Sequence, residues 1–186
     1  SFNSLVVRKD DEGKTSGSVE KMTVEQLPAG NVTVAVEYST VNYKDGLCLG
    51  SGGGMVRNYP HIPGIDMAGV VEASEDPRYK AGDRVVLTGW RYGEVHWGGY
   101  SQKTRVNADW LVGLPEGIST KQAMAVGTAG ITAMFSVMSL EAHGPLTSSS
   151  LSLSVSSSSL QPAIPAPTGT FMNCCCCSSA SFRYSS

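Results

Sequence analysis

Every second residue is apolar in one segment of the N-terminal half, the spacing of a β-strand with one buried face. The apolar residues are Val32, Val34, Val36 and Tyr38. Shorter segments of similar character, separated by turns that contain Gly or Pro, lie at residues 5–7, 66–73, 84–87, 100–106 and 110–114. Short strands at such close spacing favour a closed or partly closed β-barrel over a parallel sheet.

The pattern changes to helical spacing after residue 117. Ser119 is a good N-cap, and Gly144 followed by Pro145 is typical of a helix end. Between them, apolar residues recur with the i, i+3, i+4, i+7 spacing of a helix that buries one face: Ile131, Met134, Phe135 and Met138. We predict a helix over residues 119–143, although little sequence remains to supply a surface for its apolar face.

The C-terminal segment has a different composition. Residues 147–186 are rich in Ser and Pro and contain four consecutive cysteines at 174–177. Such residues bury too little apolar surface to offset the entropy of ordering, so we predict disorder there. The chain thus divides into a β-rich domain over 1–118, a helix that leads out of it over 119–146, and a low-complexity tail over 147–186.

Charge and cysteine usage narrow the possible partners and compartments. A net charge of −2 over 186 residues predicts neither nucleic acid nor a membrane as a partner, and no continuous apolar run approaches the roughly 20 residues that span a bilayer. Cys48 stands alone in the first 173 residues, which excludes a disulfide framework there and favours a reducing compartment. We expect a cytoplasmic protein, or an organellar one if a targeting segment precedes Ser1.

Four motifs occur in a fixed order along residues 5–144. They are Asn42-Tyr43-Lys44-Asp45, Pro63-Gly64-Ile65-Asp66-Met67-Ala68-Gly69, Ala81-Gly82-Asp83-Arg84-Val85 and Gly127-Thr128-Ala129-Gly130-Ile131-Thr132-Ala133, with support from residues 87–90 and 96–99. Together they resemble the medium-chain dehydrogenases/reductases, in particular the zinc-free branch of acrylyl-CoA reductases and quinone oxidoreductase-like proteins.

The resemblance implies a mainly β fold with some α: a GroES-like, partly open barrel, followed by a Rossmann domain, with the active site in the cleft between them. In the family a strand and a Gly-rich turn follow the helix and hold the cofactor pyrophosphate. Residues 147–186 contain no such turn. We therefore expect a chain truncated before the Rossmann glycine motif, with only the first helix of that domain.

The zinc ligands of the zinc-dependent relatives are replaced in this sequence. Those relatives place Cys where this chain has Asn42, and a His-Glu pair where it has Ile65-Asp66. Catalytic zinc requires three protein ligands and an open position, and an amide and an alkyl side chain cannot supply two of them. We expect no metal.

The resemblance also implies a reaction. In the similar reductases NADPH donates hydride to an α,β-unsaturated thioester such as acrylyl-CoA, or to a quinone. Tyr43 matches the tyrosine that meets the nicotinamide, Asn42 would line the cleft and donate a hydrogen bond, and Thr128 would touch the nicotinamide ribose or amide. We expect a small-molecule substrate, a homodimer as one possible assembly, and an inactive chain with no useful NADPH affinity by itself; the alternative is a non-catalytic GroES-like barrel fragment or binding module.

Each candidate also has a structural interpretation. Asn42 could cap the following turn, Tyr43 could be a half-buried core aromatic residue, and Thr128 could serve packing alone. Asp66 is interpreted as an acceptor of backbone amides rather than a base. The other candidates are weaker. Lys44 and Arg57 could meet CoA phosphates, and His96 is interpreted as a structural histidine rather than an acid or base. Residues 51–54 are interpreted as a Gly-rich loop at the cleft mouth, and the cysteines at 174–177 could bind a metal.

Overall fold

A computed structural model describes residues 1–50, 55–142 and 181–183. Within these residues the strands, in chain order, are β1 Phe2–Lys9, β2 Thr15–Met22, β3 Val32–Thr40, β4 Asp66–Ser74, β5 Arg84–Thr88, β6 Lys103–Val106, β7 Val112–Gly113 and β8 Ser181–Arg183. The helices are α1 Tyr43–Leu49 and α2 Thr120–Ala142, and single 3-10 turns lie at Val24–Gln26 and Ala108–Trp110.

The strands form two antiparallel sheets that together make a partly open barrel. β1 and β2 form a hairpin, and the larger sheet has the order β6-β3-β4-β5-β7, with β8 paired to β3. Backbone hydrogen bonds join the hairpin to the rest, from Leu5 N to Tyr100 O (2.8 Å) and from Val7 N to His61 O (2.7 Å). The mainly β architecture with some α expected from the sequence is confirmed.

The core is formed by side chains of the larger sheet, among them apolar residues that alternate along β3. Val32, Val34 and Val36 are buried, and they belong to the same cluster as Met67 of β4 and Leu87 of β5. Burying these five side chains removes apolar surface from water, and this removal favours folding. The predicted face of β3 therefore fills the barrel at these three valines, whereas Tyr38, beyond a register shift after Val36, is only partly buried.

Three elements depart from the expectations. β2 was not predicted, because its residues are mostly polar and exposed, and the strand is defined by its backbone pairing to β1 instead. The short helix α1 was not predicted either. In the C-terminal tail, Ser181–Arg183 forms a strand beside Tyr38–Thr40 of β3, which differs from the disorder predicted there; the other residues of the tail, including 174–177, lie outside the described residues, as do residues 51–54.

α2 is interrupted, which the sequence did not predict. Gly127 has φ 49° and ψ −162°, so two helical segments meet there at a kink. By length and composition α2 is nevertheless apolar enough to cross a membrane, since an 18-residue window of it has a mean hydropathy of 1.6. A search for continuous apolar runs misses this helix, because Gly, Ser and Thr interrupt its apolar residues; the absence of a membrane partner stays a prediction. The segment that begins at Thr128 has 15 residues, fewer than the roughly 20 that span a bilayer.

Candidate active site

The buried carboxylate of Asp66, the first residue of β4, joins three separate parts of the chain. Its Oδ2 accepts hydrogen bonds from Thr40 Oγ1 at the end of β3 (2.6 Å) and from Asn42 Nδ2 (3.0 Å). It also accepts a bond from the backbone N–H of Thr128 (3.1 Å), and Oδ1 accepts the hydroxyl of Thr128. A fully buried carboxylate needs such donors because it has lost its water. We call these four residues the Asp66 network.

The kink in α2 is what brings Thr128 to Asp66. Gly127 occupies the left-handed region that side chains rarely adopt, and a Cβ atom there would lie 2.9 Å from Thr40 Cγ2 and 3.1 Å from Asp66 Oδ2. The chain can therefore approach the carboxylate only with glycine at this position. The helical segment that follows then points its first N–H group at a negative charge, the favourable end of the helix dipole.

Asn42 is oriented by the same network. The amide nitrogen of Asn42 donates to Thr40 Oγ1 (2.7 Å) and to Asp66 Oδ2 (3.0 Å), two acceptors that lie on the same side of it. Asn42 is also the N-cap of α1, where it forms a capping box with Asp45, which is the capping role of the structural interpretation. The role expected from the resemblance, donation of a hydrogen bond to a substrate, stays a prediction.

A second buried carboxylate fixes the start of α1. Asp45 Oδ2 accepts the backbone N–H of Asn42 (2.8 Å), and Oδ1 accepts the N–H groups of Gly64 and Ile65 (3.1 and 3.0 Å). Burial raises the pKa of Asp45, the backbone hydrogen bonds oppose that rise, and the nearby charge of Asp66 adds to it. Asp45 thus ties α1 to the loop that precedes β4, and so sets the position of Asn42.

Tyr43 is the exposed member of this region. It is the first residue of α1 and is 55% exposed, so the cofactor role and the half-buried aromatic residue of the structural alternative both stay predictions. Because Asp45 and Asp66 hold Asn42 from two sides, the backbone on which Tyr43 stands is fixed. The structure therefore places a phenol in solvent beside a rigid polar network.

The remaining candidates lie in ordinary structural surroundings. Lys44 pairs with Glu94 (2.7 Å) in a largely buried ion pair, so it is not a free cation. Arg57 is exposed, and the ring of His96 packs against Trp110 with centroids 4.6 Å apart. Asp66 accepts one backbone amide, as interpreted from the sequence, together with three side-chain donors that the sequence did not reveal.

Sequence reasoning missed Thr40, Asp45 and Gly127 as parts of the site. Thr40 ends the strand that leads to Asn42, and Asp45 lies inside the first motif. Their adjacency to Asn42 was the available signal, but the partners lie 24 to 62 residues away in sequence, and local patterns do not report such contacts. Among residues 1–50 and 55–142, no group of three or more His, Cys, Asp or Glu residues lies together.

Comparison with known proteins places this geometry in a family. Residues 28–116 match the alcohol dehydrogenase GroES-like domain. The chain belongs to the medium-chain dehydrogenase/reductase superfamily and contains its GroES-like domain. Within the superfamily it is 71% identical over 144 residues to the acrylyl-CoA reductase AcuI of Ruegeria pomeroyi, and 46% identical over 143 residues to the putative quinone oxidoreductase YhfP of Bacillus subtilis.

These matches cover 77% of this chain in both cases, but 44% of AcuI and 43% of YhfP. The chain thus spans less than half the length of the curated relatives. Among solved structures, it resembles the Salmonella enterica yhdH oxidoreductase in complex with NADP, with a TM-score of 0.74 and 54% identity over 76% of this chain and 44% of that one. Bacillus subtilis yhfP with NAD bound gives a TM-score of 0.74 and 45% identity, over 77% and 44%.

Proposed function

We propose that this chain is the substrate-facing half of a zinc-independent, nicotinamide-dependent reductase of an α,β-unsaturated acyl-CoA thioester. The observation that carries the proposal is the Asp66 network, which holds Asn42 and Thr128 on one carboxylate at the start of α1, where the exposed Tyr43 follows Asn42 in the chain. The 71% identity to an acrylyl-CoA reductase supports the substrate class. The NADP complex of the Salmonella relative supports NADPH as the cofactor.

Tyr43 is the residue that we assign to the reacting groups. When bound, the cofactor supplies the hydride that adds to the β-carbon of the substrate, which leaves negative charge on the thioester oxygen. A phenol O–H held on a fixed backbone can donate a hydrogen bond to that oxygen, and such preorganised donors are a large source of catalysis. The proton for the α-carbon comes from water, because the carboxyl oxygens of both acids of this region, Asp45 and Asp66, are engaged by donors inside the protein.

Asn42 and Thr128 act in this scheme as positioning residues. Thr128 donates both its hydroxyl and its backbone N–H to Asp66, so any contact with a nicotinamide uses the lone pairs of the hydroxyl oxygen. Asn42 is the N-cap of α1 and holds the turn from which Tyr43 follows. These few contacts offset little of the cost of association, so we expect the chain by itself to bind NADPH poorly and to be inactive.

The donor set argues for zinc independence. Ile65 has no ligand atom, and the amide nitrogen of Asn42 donates to acceptors inside the protein. Of the three positions that would correspond to zinc ligands, only Asp66 has a carboxylate, and its oxygens already accept hydrogen bonds from Thr40, Asn42 and Thr128. Catalytic zinc needs three protein ligands, and the side chains present supply too few.

A chimera tests the proposal. Residues 1–142 of this chain are joined to the part of the Ruegeria reductase beyond the match, and oxidation of NADPH is followed with acrylyl-CoA and, separately, with a quinone. We expect turnover of acrylyl-CoA that resists chelators. In this chimera Tyr43→Phe should lower kcat by about 10²-fold, the usual effect of removing one oxyanion donor.

Tyr79→Phe is the matched control, because its hydroxyl binds Leu111 O on the far side of the core and its loss should leave kcat unchanged. If the chimera reduces the quinone but not acrylyl-CoA, the substrate is a quinone rather than a thioester. A folded chimera that reduces neither compound would contradict the proposal and favour the non-catalytic barrel. Equal kcat values for Tyr43→Phe and the unmodified chimera would remove Tyr43 from the mechanism.

A further inference from the structure

The loop after β5 carries an exposed aromatic group that the proposed reaction does not use. Trp90 is 58% exposed, and its ring stacks on Trp110 with centroids 6.4 Å apart and an interplanar angle of 18°. The ring of His96 contacts the same Trp110. We call Trp90, His96 and Trp110 the aromatic platform. A large exposed indole supported by a second indole is a surface on which a planar ring can stack.

The backbone holds Trp90 in a conformation that costs energy. Trp90 and Arg91 have φ angles of 52° and 56°, in the left-handed region that bulky side chains rarely adopt. The loop is fixed to the barrel at Gly93, whose carbonyl accepts from Cys48 Sγ (3.4 Å) and lies 2.9 Å from His61 Nε2. Strain of this kind is typically retained where a ligand is bound, and it sets the direction of the indole before any ligand arrives.

Arg91 adds a positive charge next to the platform. In the part of the chain that the structure describes, its side chain makes no ion pair or hydrogen bond, whereas the acids near it are already neutralised. Glu94 is paired with Lys44, and Asp109 with Arg78 (2.6 Å). A guanidinium with no carboxylate partner, next to an exposed indole, is suited to an anion attached to a ring.

The platform lies beside the candidate active site. Thr88 at the end of β5 pairs in register with Asp66, and Trp90 follows two residues later. The ion pair between Glu94 and Lys44 ties the same loop to α1, directly after Tyr43. A substrate whose reacting group meets Tyr43 would therefore have the loop of the platform next to it.

We propose that the platform and Arg91 bind the adenosine phosphate of the acyl-CoA thioester, with the adenine on Trp90 and a phosphate on Arg91. This assignment rests on the proposed function and deepens it, because it explains how the non-reacting end of the substrate is held. Bases stack on aromatic side chains without base-specific contacts. A quinone would use the ring surface but leave the charge of Arg91 without a partner.

Titration of the full chain with CoA and with adenosine 3′,5′-bisphosphate tests the platform without any hydride transfer. We expect both to quench tryptophan fluorescence and to give a binding isotherm by calorimetry. Trp90→Ala should weaken binding by about tenfold or more, the usual cost of losing one base–aromatic stack. Trp90→Phe should retain most of the affinity, and Arg91→Gln should weaken the bisphosphate but not adenosine.

Lys21→Gln is the charge-matched control, because Lys21 is an exposed cation on β2; it should bind as the unmodified chain does. Equal affinity of Trp90→Ala and the unmodified chain would overturn the proposal, as would no binding of either ligand. Preference for adenosine 2′,5′-bisphosphate would assign the platform to the cofactor instead and also overturn it. If the chimera reduces a thioester but Trp90→Ala binds CoA normally, the platform proposal is wrong and the proposed function stands. If CoA binds at the platform as expected but the folded chimera is inactive, the proposed function is wrong and the platform proposal stands as a binding site.

Discussion

The two segments of α2 on either side of Gly127 are both rich in apolar residues, yet they have opposite surroundings. In the first, Met124 is fully buried and Thr120 Oγ1 donates to Glu37 Oε2 (2.6 Å). In the second, Met134 and Phe135 are 59% and 60% exposed. Apolar spacing thus predicts which face of a helix is hydrophobic, but it does not say whether the surface that covers this face lies within the described residues.

The largest expected difference comes from the same substitution in the two segments. Met124→Ala removes a side chain from the packed interior and should destabilise the chain by about 2–5 kcal/mol, the usual cost of a buried Met truncation. Met134→Ala removes a solvated side chain and should change stability by less than about 0.5 kcal/mol. Urea unfolding followed by circular dichroism measures both, and similar midpoints for the two variants would break the comparison.

Gly127→Ala tests the junction between the segments. The added methyl would meet Thr40 Cγ2 and force a left-handed backbone on alanine, so we expect a loss of about 1–3 kcal/mol. Gly46→Ala in α1 is the matched control, because no atom lies within 4 Å of the position that its methyl group would take, and its φ is not positive. There, alanine should stabilise the helix by about 0.5–1 kcal/mol. A neutral Gly127→Ala would mean that the kink is not required.

The exposed segment should make the chain self-associate. A contiguous apolar patch is prone to association, so the mass measured by light scattering should rise with concentration. A Phe135→Lys, Met138→Lys double variant should remain monomeric, whereas Val19→Lys, at an exposed apolar residue on β2, should behave as the unmodified chain does. A constant monomeric mass for the unmodified chain at all concentrations would rule out association through α2.

The smallest expected effect is a pH dependence of stability that arises in the barrel, at His61. Burial lowers the pKa of His61 from its usual 6.5, opposed by its contact with the Gly93 carbonyl. The unfolded chain therefore binds the proton more readily, and stability should fall as the pH drops below about 6.5. His61→Gln should flatten that part of the stability curve measured by thermal unfolding between pH 7 and pH 5. An unchanged slope would assign the pH dependence to other groups.

The barrel could be predicted from the sequence because its signals are local. The alternation in β3 marks one face of the sheet, and turns with Gly and Pro separate the other strands. β2 could not be predicted, because Thr15–Met22 has polar residues on both faces and is held by pairing to β1. The kink at Gly127 was missed for a different reason: Asp66, the residue to which it brings Thr128, is distant in sequence, and the local residues are compatible with a continuous helix.

The candidate site, like the fold, could be predicted from the sequence only in part. Asn42, Tyr43 and Thr128 were found through motifs shared with a family, which identify residues but not the direction of their hydrogen bonds. The donors of Asn42 turned out to face Thr40 and Asp66, and no pattern of residue types encodes that choice. It follows from burial, because the carboxylate of Asp66 requires every donor within reach.

One carboxylate that serves three segments also constrains how this domain can be recombined. A crossover placed between β4 and α2 would separate Asp66 from Thr128, and a foreign helix with a bulkier residue at position 127 would leave two buried acceptor oxygens with fewer donors. Breaking such a buried arrangement from one side costs more than removing it entirely. A graft of α2 onto a related barrel should therefore include the Gly127-Thr128 pair, and a graft of the barrel should include a helix that has it.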